Sequence, residues 1–200
     1  MHRSGVEPWY RHRLASSRPV GRLPPAGRRP YRHGHYRRPR GQGRPPRNAN
    51  LLGVAETIRL LARAVILKDG AVLLAHALGR GNTFLPGGTV HPGETLTQAL
   101  ARELEEELGV AVRVGGYLGG LEALWEDGGR RHHEINHVFE VIAEHLAPPA
   151  PPASREPHLE FFWSSLDDLD RRNLLPAPLR QRIRRWVAGE RSTWWATDLD

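Results

Sequence analysis

The sequence predicts a mixed α/β (α+β) sandwich. Apolar, β-prone runs bounded by Gly, Pro and Asp recur between Ile58 and Trp163. Two amphipathic helical segments are interspersed with these runs, which favours layers of sheet and helix over an all-β or all-α architecture. No apolar run approaches the roughly 20 residues that a membrane-spanning helix needs.

The first predicted element is a β-hairpin in the segment IRLLARAVILKDGAVLLAHA. Its two apolar runs flank Asp69-Gly70, a dipeptide that favours a two-residue turn. A short strand is predicted at Thr83–Pro86, leading into a Gly-rich turn. After that turn the sequence predicts a helix at Leu96–Leu108 and a strand at Val110–Leu124. A polar loop at Trp125–Gly129 and a strand at Glu134–Glu144 follow. The last predicted elements are a short strand at Leu159–Trp163, a helical turn at Asp167–Leu169 and a second helix from about Pro178 to Ala188.

The first of these helices, Leu96–Leu108, has signals at both ends. Thr95 and Gln98 match the S/T-x-x-E/Q capping box, in which each side chain satisfies a backbone N–H of the first turn. Gly109 stands where a left-handed residue ends many helices. We therefore expect this helix to begin and end sharply.

Three segments are predicted along the chain: a disordered Arg/Pro-rich tail at 1–52, a folded domain at 53–190 and a C-terminal tail at 191–200. Residues 1–50 hold 13 arginines and one acidic residue, Glu7, a net charge of +12 that leaves −5 for the other 150 residues. The first 50 residues contain few aliphatic side chains, so they cannot bury enough apolar area to offset the entropy of ordering.

Two interpretations of the basic tail stay open. Arginine clusters with interleaved tyrosines suit phosphates and bases, so the tail could bind nucleic acid or another anionic surface. Alternatively it is a spurious extension, because one Met and a single Lys among 29 basic residues indicate GC-rich coding, in which translation can start without ATG, for example at Leu51 or Val54.

Composition also excludes several kinds of site. The chain has no cysteine, which rules out disulfides, thiolate metal sites and cysteine nucleophiles. The basic N-terminus lacks the apolar segment of a secretory signal peptide, and we expect a cytoplasmic protein.

The acidic residues of the first helix are placed unusually. On a helical wheel Glu103 and Glu107 lie at the edge of the apolar stripe with Glu106 beside them, whereas Glu105 and Arg102 face solvent. A charge near the core costs solvation energy unless it is paired or bound to a metal. Spacings of three and four residues bring the three edge carboxylates within reach of one point, where Mg²⁺ or Mn²⁺ would remove their repulsion.

The preceding loop indicates what such a cation would serve. Gly87, Gly88 and Gly93 permit backbone conformations that let main-chain groups approach a ligand closely. Backbone amides near a helix N-terminus attract anions. A cation held by carboxylates beside a Gly-rich turn is suited to diphosphate chemistry.

The spacing of these residues resembles the Nudix box, G-x5-E-x7-R-E-U-x-E-E-x-G-U. The matching positions are Gly88, Glu94, Arg102, Glu103, Leu104, Glu106, Glu107, Gly109 and Val110. The resemblance extends loosely over Ile58–Ala188 and implies a Nudix-like α/β/α sandwich with a mixed β-sheet.

The resemblance also implies roles for individual residues. Glu106, Glu107 and the Gly87 carbonyl would bind Mg²⁺ or Mn²⁺, and Glu103 would be a further ligand or the base that deprotonates the attacking water. Arg102 would pair with Glu94 to hold the turn. The implied reaction is hydrolysis of a nucleoside diphosphate linked to another moiety.

Residues outside the box have weaker claims. Many family members recruit one more acid, for which Glu126 and Glu134 are preferred over Glu122, although each is better explained as a solvated surface charge. Phe84 and Trp125 could stack on a nucleobase or could belong to the core. Arg130 and Arg131 could hold a terminal phosphate or could be a solvated pair.

Two functions of different classes follow. The first is a Mg²⁺-dependent pyrophosphohydrolase acting on a nucleotide derivative, with ADP-ribose, nucleotide sugars, nucleoside triphosphates and dinucleoside polyphosphates all open as substrates. The second is a nucleic-acid-associated binding protein with a vestigial Nudix domain, in which nucleic acid binds only through the N-terminal tail. No membrane partner is expected, and a homodimer stays open.

Overall fold

Residues 57–199 are described by the computed structural model, which has two sheets between two α-helices. The strands, in chain order, are β1 (Ile58–Val65), β2 (Leu67–Lys68), β3 (Ala71–Ala77), β4 (Thr83–Phe84), β5 (Arg113–Asp127), β6 (Arg130–Ile142), β7 (Leu159–Ser165) and β8 (Trp194–Thr197). The helices are α1 (Leu96–Leu108) and α2 (Pro178–Val187), with a 3-10 helix at Leu166–Leu169. The predicted tail 1–52 lies outside the described residues.

The first sheet is mixed and has the order β1-β6-β5-β8. Strand β1 runs parallel to β6, β6 antiparallel to β5, and β5 parallel to β8. The second sheet is antiparallel: β3 pairs along its length with β7 and, towards its two ends, with β2 and β4.

Both faces of the central strands are buried. Along β1, Ala64 packs in the cluster with α1, and the next residue, Val65, packs in the cluster with α2. Along β3, Leu73 likewise lies on the α1 side and Leu74 on the α2 side. Each fully buried leucine of these clusters contributes about 1.5–3 kcal/mol. Helix α1 therefore covers one side of the sheets and α2 the other, which confirms the predicted α/β/α sandwich with a mixed sheet.

The β2–β3 hairpin forms as predicted. Asp69 and Gly70 both have positive φ, 48° and 77°, as the two-residue turn requires. The polar loop predicted at Trp125–Gly129 is wrong, because β5 continues to Asp127 and Gly128-Gly129 alone make the turn, with φ of 55° and 75°.

The C-terminal segment 191–200 contains a strand that the sequence did not indicate. In β8, Trp194 pairs with Gly119 and Trp195 with Gly120 of β5. A Cβ on Gly119 would overlap Trp194, so the glycine makes room for the indole. Neither helix of the described residues reaches the length and hydrophobicity that a bilayer span requires.

A truncated chain beginning at Leu51 is expected to keep the thermal midpoint and turnover of the full chain. Within the described residues 57–199 the first strand begins at Ile58, and the two core clusters found there are built from residues beyond it. Calorimetry and steady-state kinetics at physiological salt, where the Debye length is about 8 Å and steering by remote charge is weak, measure this. Aggregation of the shortened chain would place the domain boundary earlier.

Candidate active site

Helix α1 supplies a rigid platform with the predicted ends. The Thr95 side chain accepts a hydrogen bond from the backbone N–H of Gln98, and the Gln98 side chain accepts one from the backbone N–H of Thr95. Gly109 adopts the left-handed conformation at φ 68° and donates to the Glu105 carbonyl. The buried face consists of Ala99, Leu100, Leu104, Leu108 and Glu107.

Glu107 is a carboxylate among the buried leucines. Its residue is 6% exposed, and one of its oxygens accepts a hydrogen bond from the Gly87 N–H at 3.0 Å. Burial raises the pKa of Glu107 to about 7, while the Gly87 N–H and the charge of Arg63 act in the opposite direction. The wheel therefore placed this acid correctly, at the edge of the core.

The Gly87-Gly88 turn lies directly against the helix. Gly87 has φ 113°, and a Cβ there would overlap the Ala62 carbonyl. A Cβ on Gly88 would overlap the Glu103 carboxylate. Glycine at both positions brings the backbone of the turn into contact with the acidic side of α1.

Arg102 ties the loop to the helix. Its guanidinium donates to both oxygens of Glu94, at 2.7 and 3.1 Å, and to the Thr89 carbonyl at 3.0 Å. It also donates to Glu103 at 2.9 Å and to Glu106 at 3.0 Å. The solvent-facing position that the wheel predicted for Arg102 is wrong: the side chain is 25% exposed because these acceptors draw it onto the loop. The bonds to Glu94 above all raise the pKa of Arg102.

Glu94 is expected to stabilise the fold only above acidic pH. Its bonds from Arg102 and then from the His91 N–H lower its pKa from 4.5 to about 2. A carboxylate whose pKa is lowered on folding adds stability above its unfolded pKa, and that stability is lost as pH falls towards the folded value. The difference in thermal midpoint between the wild type and Glu94→Gln should be full at pH 7 and vanish near pH 2. A difference that stays constant down to pH 2 would contradict the ion pair.

The groups near the turn that could bind a metal are all oxygen donors: the carboxylates of Glu103, Glu106 and Glu107 and the Gly87 carbonyl. Such a set suits Mg²⁺ or Mn²⁺. Among residues 57–199, however, no three acidic, histidine or cysteine side chains are arranged around one point as a metal site. The predicted convergence is not formed, because Arg102 holds Glu103 and Glu106 while the Gly87 N–H holds Glu107. A cation would have to draw Glu106 away from Arg102.

The sequence analysis did not identify two residues of this region, Arg63 and Asn136. Arg63 of β1 donates to the Gly87 carbonyl and, at 3.2 Å, to the Leu85 carbonyl. Its Nε donates to Oδ1 of Asn136 on β6 at 3.2 Å. A signal was present, since Arg63 interrupts the apolar run of β1 and Asn136 lies inside a long β-strand.

Glu134 and Glu126, the two acids preferred outside the box, separate in the structure. Glu134 is 7% exposed and accepts from Arg59 at 3.2 Å, and the same guanidinium donates to Thr89 Oγ1 at 3.0 Å. Glu134 is thus linked to the Gly-rich loop through one arginine. Glu126 is exposed on β5, where its backbone partner on β6 is Arg131.

The remaining candidates lie at different distances from the turn. The Arg63 guanidinium lies over the Phe84 ring, with its Cζ 5.4 Å from the ring centroid. Phe84 is therefore beside the site. Trp125 is exposed and stacks on His132 with ring centroids 4.1 Å apart. Arg130 and Arg131 are exposed at the start of β6, and Gly93 has φ 91° in open space, so only its conformation requires glycine.

The chain is similar in sequence to known proteins. A model of the NUDIX domain matches residues 58–188. The CTP pyrophosphohydrolase of Escherichia coli is 32% identical over 120 residues, which cover 58% of this chain and 82% of that protein. The low-salt glycan biosynthesis protein Agl8 of Haloferax volcanii is 42% identical over 87 residues, 40% of this chain. That match spans 56% of Agl8, little more than half of its length.

The fold agrees with a solved structure. The solution structure of the E. coli ORF135 protein superposes with a TM-score of 0.52 at 27% sequence identity, covering 68% of this chain and 96% of that one. The domain match takes in β1 to α2, including the Gly-rich turn and the acidic face of α1. The chain therefore belongs to the Nudix hydrolase family.

Proposed function

We propose that the protein is a Mg²⁺- or Mn²⁺-dependent pyrophosphohydrolase. It hydrolyses a nucleoside diphosphate linked to another moiety: the oxygen of a water molecule bonds to one phosphorus, and the bridging P–O bond breaks. The water's protons pass to Glu103 and to solvent, and two phosphorylated products leave.

One observation carries this proposal: the Gly87–Gly88 turn meets the acidic face of α1, with its N–H on Glu107 and its backbone against Glu103. Carboxylates at the core edge, in contact with a backbone held open by glycine, are poorly explained as a solvated helix face. They suit a site where a cation and a phosphate meet.

The favoured substrate class is the nucleoside triphosphates. The E. coli relative, 82% of whose length is covered by the match, is named a CTP pyrophosphohydrolase. The sheet beside the turn also offers two cationic side chains, Arg59 and Arg63, that could compensate phosphate charge. ADP-ribose and nucleotide sugars are the competing substrates.

Glu106, Glu107 and the Gly87 carbonyl would hold the cation, and Glu103 would take up a proton of the attacking water. When bound, a divalent cation neutralises phosphate charge and polarises the phosphoryl group. Arg102 orients Glu103, and its bonds to Glu94 and Thr89 keep the loop in place. It also donates to Glu106, so that bond would have to break for Glu106 to hold the cation.

The test uses the purified full-length chain with CTP, UTP, ATP, GTP, ADP-ribose and UDP-glucose in the presence of Mg²⁺ or Mn²⁺. Products are separated by ion-exchange chromatography. We expect release of a nucleoside monophosphate from at least one substrate and complete loss of turnover with EDTA. Hydrolysis in H₂¹⁸O then identifies the attacked phosphorus, since the label enters the product that carries it.

Two results would overturn the proposal. One is the absence of hydrolysis of every substrate with either cation. The other is hydrolysis that persists in EDTA at the same rate.

A further inference from the structure

The Asn136 side chain has a buried donor with nothing to bond to. Asn136 is 2% exposed, and in the part of the chain that the structure describes its Nδ2 is the one buried side-chain nitrogen or oxygen without a hydrogen-bond partner. Leaving a buried donor unsatisfied costs about 1–3 kcal/mol. Such a group in a folded protein needs an explanation.

The orientation of this amide is set by its neighbour. The Nε–H of Arg63 donates to Asn136 Oδ1 at 3.2 Å. A flipped amide would turn its own NH₂ group towards the guanidinium, where neither group can accept. The atom left over is therefore a donor, and its missing partner must be an acceptor.

Asn136 is also close to the candidate active site. The Arg63 guanidinium that binds Asn136 donates through Nη1 to the Gly87 carbonyl. One planar group therefore bridges the amide and the turn. Gly87 in turn binds Glu107 through its N–H.

We propose that Asn136 is a substrate-binding residue whose Nδ2 donates a hydrogen bond to an oxygen of the substrate's diphosphate group. This inference rests on the proposed pyrophosphohydrolase function. An oxygen of the diphosphate is favoured over a base carbonyl because a single guanidinium separates Asn136 from the turn at which the phosphates would bind.

The decisive variant is Asn136→Asp, with Asn173→Asp as its matched control. The aspartate keeps the shape of the side chain and an acceptor for Arg63, but it exchanges the unpaired donor for a charged acceptor. Asn173 also accepts from an arginine, Arg180 at 3.1 Å, yet its Nδ2 already donates to the Gly81 carbonyl at 3.0 Å. Each substitution therefore removes an amide donor. The donor of Asn136 has no partner within the described protein, and that of Asn173 has one.

Binding is measured by calorimetry with Mg²⁺ and two non-hydrolysable probes, methylenediphosphonate and α,β-methylene-CDP. Asn136→Asp should weaken both probes about tenfold or more, the size of one hydrogen bond to a charged group, and should still fold because the new buried charge pairs with Arg63. Asn173→Asp should lower the thermal midpoint and leave both affinities unchanged. Asn136→Ser, whose hydroxyl is too short to replace the amide, should also weaken both probes.

Each other outcome decides against part or all of the inference. Weaker binding of α,β-methylene-CDP alone would overturn the diphosphate assignment and move the acceptor to the base or ribose. Unchanged affinities for Asn136→Asp and Asn136→Ser would overturn it entirely, because the role would then be structural. Failure of the wild type to bind either probe would instead count against the proposed function.

Discussion

Replacing Glu107 by Gln is expected to lower kcat about a thousandfold or more while the thermal midpoint stays the same or rises. The glutamine keeps the size of the side chain and an oxygen that can accept from the Gly87 N–H, but it removes the charge proposed to bind Mg²⁺. Metal-assisted stabilisation of phosphoryl transfer is worth several kcal/mol, and each 1.36 kcal/mol is a factor of ten in rate. The stability gain follows from removing a charge that burial disfavours.

The control for this prediction is Glu105→Gln on the same helix. The Glu105→Gln substitution makes the same chemical change two residues away. There the carboxylate is exposed and pairs with Arg155 at 3.1 Å. Near-wild-type kcat is expected for Glu105→Gln. Rates are measured with saturating nucleoside triphosphate and Mg²⁺, and a Glu107→Gln protein that retains a rate close to that of the wild type would refute the metal assignment.

Replacing Arg102 by Met is expected to lower the free energy of unfolding by about 2 kcal/mol, less than the 3–5 kcal/mol for a fully buried pair because the side chain is partly exposed. The substitution leaves Glu94 and Glu103 without their cation and frees the Thr89 carbonyl from the helix. A displacement of the loop by about 1 Å can reduce turnover about a hundredfold, so kcat/KM should fall as well.

Urea unfolding of Arg102→Met is compared with that of Arg155→Met. Arg155 pairs with an acid of the same helix but is largely exposed, so its loss should change stability by less than about 0.5 kcal/mol. Arg102→Lys should restore little, since a point charge cannot reach five acceptors that a planar guanidinium binds together. Equal destabilisation by the two Met variants would show that Arg102 does not hold the loop.

The helix and the turn before it were predictable because their signals are local. Thr95, Gln98 and Gly109 act within a few residues of themselves, and the boundaries they predict are those observed. The edge placement of Glu107 follows from helical periodicity alone, and its burial agrees with it. Both are properties of neighbours along the chain.

Each polar residue on the sheet stands out within its own strand, but the contact between the two could not be predicted because it depends on strand pairing. Arg63 and Asn136 are in contact only because β1 pairs with β6 in parallel and in the observed register. Neither strand specifies that pairing by its own sequence. The polar residues before Gly128 were mistaken for a loop because an exposed hairpin end carries the same residue types as a loop. The metal-ligand roles of Glu103, Glu106 and Glu107 stay predictions.

The parallel pairing of β8 with β5 has a consequence for refolding kinetics. Trp194 and Gly119 are far apart in sequence, and contacts of that kind form late because loop closure costs entropy before the contact stabilises anything. Until β8 arrives, one edge of the long β5 strand presents unpaired N–H and C=O groups, which can pair with the same edge of another molecule. Closure by β8 is first order and edge-to-edge association is second order, so dilution during refolding should favour the monomeric product.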